Sequence, residues 1–279
     1  MRDATHRQLR ALARTALYCT MVVRSFADAP SAPSVADELR AARLMQAALD
    51  GRHAEPAEWR KLDAIYAELS AKHPRDAAVR NARGELLWDL GERERAMREW
   101  EAAEQLDATH ATALHHLGGA HLASGDTKQS AHYFRRASDA APTNPSYHYE
   151  LANVLFLFRH DLKNATTDEA AVIDLAMKHY AEASRLAPLD TEYARGYAET
   201  FYSVPQADWN TALAAWGRLL DISPKKEFPL SNLVRVHIRM RQRDAAQACL
   251  DKLQSPDFEK LKSKLQEQIN LLPAQNSQR

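Results

Sequence analysis

Four histidines, His110, His115, His116 and His121, fall within twelve residues and raise the question of a metal ion. Ligands sharing one helix face need spacings of three or four. The spacings here are five, one and five. His115 and His116 would point about 100° apart on a helix, and His121 falls at a core place, so the four imidazoles are not expected to converge. Glu85 and Asp89, four residues apart, could be imagined as a general acid and base. Carboxylates so placed on an exposed helix are ordinarily just solvated. No HExxH, GxSxG, GxGxxG or GxxxxGK[ST] string occurs, which removes the usual metal, nucleophile and phosphate-binding motifs. Cys19 and Cys249 lack the CxxC spacing of a redox or zinc site. These residues point away from an enzyme, and no cofactor or metal is expected.

Arg235, Arg239, Arg241 and Arg243 form the densest basic string. It lacks interleaved aromatic residues, and Asp244 and Asp251 follow it, so it suits a polar rim or an acidic peptide better than a nucleic acid. The whole chain agrees: Lys plus Arg and Asp plus Glu number 37 each, leaving no global field for polyanions. No nucleic-acid partner is expected.

The elements that must carry these residues are helices. The 279-residue chain is 45% hydrophobic and 27% charged, enough to bury a large core. Eight glycines and twelve prolines are set against long runs of Ala, Leu, Glu and Arg, a composition that favours helix over strand. At the start, Arg2, Arg7, Arg10 and Arg14 precede the uncharged run Thr15 to Val23, with Ser25 and Ala27 suited to cleavage after Ala27. Against an export signal, the run is only nine residues, Arg24 closes it, and Pro30 obstructs cleavage after Ala29. Residues 1–27 thus read equally as a weak export signal or as an uncleaved N-terminal helix, leaving the exported and cytoplasmic compartments both open. The run is far short of the roughly 20 residues that span a bilayer, so no transmembrane segment is expected. Residues 28–36, rich in Pro, Ala and Ser, read as a linker.

The helices repeat. Gly84 and Gly118 are 34 residues apart, and Ala152 follows 34 later; Gly91 and Gly125, Trp100 and Phe134, Ala103 and Ala137, and Ala108 and Pro142 share that step. The same interval leads back from Ala96, Trp100 and Ala103 to Leu62, Tyr66 and Leu69. Beyond Ala152 the register breaks and recovers at Ala176, Tyr180, Ala183 and Pro188. It continues through Ala198, Ala212, Trp216 and Pro224 with a two-residue slip, then through Leu233, Ala246, Leu250 and Leu253. Each place has a physical role. Small residues let two helices approach to about 8–10 Å, and an aromatic at Tyr66, Trp100, Phe134, Tyr180 and Trp216 fills the gap to the next hairpin. Gly91 and Gly125 turn the chain, and Pro142, Pro188 and Pro224 stop the second helix. Six units are expected, near 37–75, 77–110, 111–144, 145–190 (with an insertion at 159–174), 191–226 and 227–254. Leu261, Leu265, Ile269 and Leu272 then suit a capping helix over 255–273, and 274–279 reads as a disordered tail.

These residues resemble the tetratricopeptide repeat family, whose 34-residue pattern has these small, aromatic and proline places. The resemblance covers nearly all of residues 37–254. It implies an all-α fold: an alpha-alpha superhelical solenoid of about six helical hairpins plus the C-terminal capping helix. Arg80 and Arg83 depart from it, standing where the first helix usually shows Trp and Leu, and the first unit has about six extra residues between Gly51 and Leu62.

The resemblance also implies a protein-interaction scaffold that binds a peptide or protein along a concave face lined by the first helix of each hairpin. Carrying the family's inward places across residue by residue gives Asn81, Glu85, Trp88 and Asp89 in the second unit, and His115, Gly119 and Leu122 in the third. The fourth gives Tyr149, Asn153, Phe156 and Leu157, the fifth Arg195, Glu199 and Tyr202, and the sixth Ser231, Arg235, Ile238 and Arg239. Glu85 with Asp89 and Arg235 with Arg239 are i, i+4 pairs, so the groove is expected to run from acidic to basic across the aromatic residues Trp88, Tyr149, Phe156 and Tyr202. A partner would anchor on those rings with its acidic end towards Arg235 and Arg239; the competing reading makes these solvated faces whose rings partly serve packing. The family's clamp for a peptide carboxylate, Lys at the fifth place and Asn at the ninth, is absent: those places hold Asn81 and Glu85, then His115 and Gly119. Within the insertion, Thr166 with Glu169 resembles a capping box that starts a lengthened second helix, and Asn164, Ala165 and Thr166 form a glycosylation sequon. The competing functions are a self-associating structural solenoid and a non-catalytic accessory subunit of an enzyme or envelope complex.

Overall fold

The computed structural model describes residues 33–51, 54–163, 168–204 and 206–273. The N-terminal segment 1–27, most of the linker, Thr166 with the sequon, and the tail from 274 lie outside the described residues. Among those described there are fourteen α-helices and no strand. They are α1 (Val35–Asp50), α2 (Pro56–Lys72), α3 (Ala77–Asp89), α4 (Arg93–Leu106), α5 (Ala111–Ala123), α6 (Thr127–Ala140) and α7 (Pro145–Leu157). There follow the single turn α8 (Arg159–Leu162), α9 (Glu169–Leu186), α10 (Thr191–Thr200), α11 (Trp209–Ile222), α12 (Glu227–Arg239), α13 (Arg243–Leu250) and α14 (Glu259–Asn270). None is long and apolar enough to cross a membrane. α1 begins at Val35, inside the stretch read as linker, because Ser34 and Asp37 close a capping box there.

The helices pair as six hairpins, α1/α2, α3/α4, α5/α6, α7/α9, α10/α11 and α12/α13, and each second helix packs on the next first helix. α14 closes the array against α12 and α13, burying Leu265 and Ile269 beside Leu250. The small and aromatic places of the repeat meet as expected. A Cβ added at Gly118 would fall 2.8 Å from Phe134 Cδ1, and one at Gly84 would collide with the Trp100 indole. The aromatic ring of the second helix therefore lies on the glycine of the first, which fixes the hairpin's close approach.

The turns inside the hairpins use one device. Gly91 and Gly125 adopt φ of 79° and 85°, and the following amides reach back into the helix, Glu92 N to Leu87 O at 2.8 Å and Asp126 N to His121 O at 2.9 Å. This is the Schellman pattern, which needs a left-handed residue. The last hairpin makes the same turn with Arg241 at φ 56°, Gln242 N donating to His237 O at 2.9 Å.

Arg80 and Arg83 pack without the usual Trp and Leu because they are neutralised. Arg80 Nη1 and Arg83 Nη1 donate to the two oxygens of Glu99 at 3.0 and 2.9 Å, and Arg83 and Arg95 both reach Asp63. The network ties α2, α3 and α4 together. In the insertion, α8 is pinned rather than free: Arg159 Nε and His160 Nδ1 lie 2.8 and 2.9 Å from the two oxygens of Glu169. α9 is a lengthened second helix of 18 residues, against 14 for α4 and α6. Asp168 caps it, accepting from Ala171 N at 2.8 Å.

Candidate interaction surface on the first helices

The first helices of successive hairpins lie side by side, with direct contacts of α1 with α3 and of α3 with α5. Side chains link them along the whole array, and three regions differ in chemistry.

At the α1/α3/α5 end, Glu85 is not a displayed acid. Its carboxylate lies 3.1 Å from His116 Nε2 and 3.8 Å from Arg43 Nη2, and Asn81 Nδ2 donates to it at 2.7 Å. Burial alone would raise its pKa; the partners outweigh that and hold it below the ordinary value. Asn81, expected on the surface, is 1% exposed, and its backbone carbonyl accepts from Trp100 Nε1 at 3.2 Å. It supports Glu85 and Trp100 from inside. The exposed acid is Asp89, whose pKa is raised by burial and by Asp50, with Gln46 donating to it at 3.2 Å. The acidic pole therefore rests on Asp89 and Asp50, not on an Asp89–Glu85 pair. Trp88 is half-buried, 5.5 Å from the Trp100 ring and under the Arg93 guanidinium.

The four neighbouring histidines take separate tasks. His110 caps α5, accepting from Ala113 N at 3.2 Å. His115 stacks on Tyr147 at 4.9 Å, and burial pulls its pKa down to about 4. His116 stacks on Trp100, and His121 on Tyr133. Among the described residues, no group of three or more His, Cys, Asp and Glu side chains could hold a metal ion. Cys249 is a half-buried free thiol whose pKa is raised by burial.

In the middle, Tyr149 serves packing as well as display. Its ring lies 4.8 Å from Tyr193 and 5.7 Å from Tyr180, against Gly196, where a Cβ would come within 2.8 Å. Asn153 Oδ1 accepts from the Tyr180 hydroxyl at 2.7 Å. Phe156 is half-buried beneath Arg159, and next to it Leu157 is 64% exposed. Glu150 and Glu192 face each other here, and burial followed by that repulsion raises the Glu150 pKa.

At the α10/α12 end, Arg195 is paired with Glu199 in its own helix at 2.8 Å and lies over Phe228. Ser231, another place carried over as inward, is buried and donates to Phe228 O. Tyr202 donates its hydroxyl to Asn232 O at 3.1 Å. Arg239 is exposed with its guanidinium carbon 5.6 Å from the Tyr202 ring centroid and 4.8 Å from that of Trp209. Arg235 is exposed one turn earlier.

The layer thus brings together Glu85, Trp88, Asp89 and His115 at one end, Tyr149, Asn153 and Phe156 centrally, and Arg195, Tyr202, Arg235 and Arg239 at the other. Arg43, His116, Tyr193 and Trp209 belong to it as well. Arg43 sits in the irregular first unit and Trp209 at the head of a second helix, so neither stood at a repeat place that could be carried across.

The tetratricopeptide repeat family model matches residues 111–144, the α5/α6 hairpin. No curated protein matches. Among solved structures, YrrB, described as a TPR protein with an unusual peptide-binding site, is 20% identical with a TM-score of 0.58, covering 72% of this chain and 97% of its own. PilF of Pseudomonas aeruginosa is 15% identical with a TM-score of 0.56, over 82% and 99%. A MamA structure is 15% identical with a TM-score of 0.51, over 68% and 94%. At such identities the likeness is one of fold. With the 34-residue spacing, the ring-on-glycine hairpins and the matched third unit, the fold is a helical solenoid of tetratricopeptide-type hairpins.

Proposed function

We propose that the chain is a non-catalytic scaffold that binds an extended segment of a partner protein along its first-helix layer. The observation that carries this reading is the continuous row of half-buried rings and polar groups on α3, α5, α7, α10 and α12, with Leu157 standing out of it at 64% exposure. Partly exposed aromatic and arginine side chains are the residues that dominate interface energetics. The unusual peptide-binding site described for YrrB is consistent with such a use of the fold. Asn81, being buried, contributes by holding Glu85 rather than by contact.

The test is co-purification from the native cell with wild type, Leu157→Asp on the layer and Leu106→Asp on the exposed end of a second helix. The reading expects a stoichiometric partner that Leu157→Asp loses and Leu106→Asp keeps. Equal retention by both would remove it. A second reading, end-to-end self-association, is favoured by exposed apolar groups at the two ends of the described array, Leu44 and Met45 on α1 and Leu271 after α14. A head-to-tail contact of that kind generates open assemblies, so light scattering that grows with concentration would support it.

A further inference from the structure

Deepening that reading and resting on it, we infer that the α10/α12 end carries an oxyanion site, where Arg235 and Arg239 together take a carboxylate of an acidic peptide segment. Arginine is suited to this because its planar fork matches the two oxygens of a carboxylate. Elsewhere on the first helices, Arg80 and Arg83 hold Glu99, and Arg195 holds Glu199. Arg235 and Arg239 are exposed, and among the described residues neither has a carboxylate partner; Arg235 makes a polar contact from Nη1 to Asn232 Oδ1 at 3.3 Å.

The pair is also arranged. Four residues apart on α12, the two side chains leave the same face. Arg239 stays exposed with its guanidinium carbon over the Tyr202 and Trp209 rings, which support it. A guanidinium already held in place loses less freedom when it binds. Both cations act at one point: burial pushes the Tyr202 phenol up to about 12, while Arg235 and Arg239 pull the other way. The opposite end of the layer is acidic: Asp89 is exposed beside Asp50, while Glu85 is held by Arg43 and His116. An acidic group on the partner therefore belongs at the α10/α12 end and sets the partner's direction.

The test uses the full chain, with the Trp209 indole N–H followed by nitrogen-15 NMR at matched ionic strength. The probes are tetraglutamate capped at both ends, capped tetraglutamine, and tetraglutamine with a free C-terminal carboxylate. A saturable Trp209 shift is expected with at least one carboxylate-bearing probe and none with capped tetraglutamine. Capped tetraglutamate acting alone assigns the site to side-chain carboxylates; the free terminus acting alone assigns it to a chain end. Arg235→Gln with Arg239→Gln should weaken binding about ten-fold or more, Arg239→Lys should weaken it less, and the neighbouring exposed Arg241→Gln should leave it unchanged. A far-UV spectrum of each variant separates loss of site from loss of fold. No shift with any carboxylate, or equal binding by the double variant, overturns the inference. Carboxylate binding together with partner retention by Leu157→Asp would sink the scaffold reading and leave the site. Partner loss by Leu157→Asp without carboxylate binding would do the reverse.

Discussion

Gly118 and Gly119 are adjacent in one helix, yet alanine should act on them with opposite sign. A Cβ at Gly118 meets the Phe134 ring at 2.8 Å from Cδ1 and 2.9 Å from Cε1 and Cγ, whereas one at Gly119 meets nothing within 4 Å. Carbon atoms pack best at about 3.5–4.0 Å, so in Gly118→Ala the ring would have to retreat by roughly 0.7 Å or more. Phe134 is 2% exposed and has little room to do so. Overpacking of this kind costs about 1–3 kcal/mol, while replacing a helical glycine by alanine gains about 0.8–1.0 kcal/mol. Gly118→Ala should therefore lose up to about 2 kcal/mol and Gly119→Ala should gain about 1 kcal/mol. The helix-propensity part cancels between them, so their difference isolates the ring contact. Guanidinium unfolding followed by circular dichroism gives that difference, and hydrogen exchange of the α5 and α6 amides localises it. In a Phe134→Leu background the gap should shrink to below about 0.5 kcal/mol, because the two sites are coupled through one contact. Equal stability of the two alanine variants, or a gap indifferent to Phe134→Leu, would refute the ring-on-glycine account of the hairpin.

Three further outcomes follow from the same structure. Arg241→Gly should stabilise the chain by about 1 kcal/mol in denaturant unfolding, since the φ of 56° costs an L-residue what glycine avoids. His115 resists protonation until about pH 4 when folded but takes a proton near its ordinary 6.5 when unfolded, so its contribution is full at pH 7, is lost as pH falls from 6.5 to 4, and levels off below. The loss is on the order of 3 kcal/mol, and His115→Gln should flatten that part of a stability-against-pH curve. Glu99→Gln strands Arg80 and Arg83 without their shared carboxylate and should destabilise the α3/α4 hairpin by about 1–2 kcal/mol, read as faster hydrogen exchange there.

The repeat was legible because each of its places is fixed by backbone approach. A ring at Trp100 or Phe134 needs a residue without a side chain opposite it, and that demand recurs every 34 residues in the sequence. The surface was less legible because side chains there choose partners across hairpins. Glu85 and Asp89 have the same charge and helix, yet Glu85 is bonded by His116 from α5 and Arg43 from α1, and Asp89 is exposed. The repeat pattern places Asn81 in the groove, but the indole of Trp100 on the next helix takes its backbone carbonyl and covers it. Trp209, outside every first-helix place, is what holds Arg239. Such details follow from three-dimensional neighbours that no spacing encodes.

The most direct test of the scaffold account is site-specific photo-crosslinking in the native cell, with p-benzoylphenylalanine placed at Leu157 on the first-helix layer or at Leu106 on a second helix, both exposed. The account predicts one discrete crosslinked partner from position 157 and none from 106. A partner captured from 106 with none from 157 would contradict it.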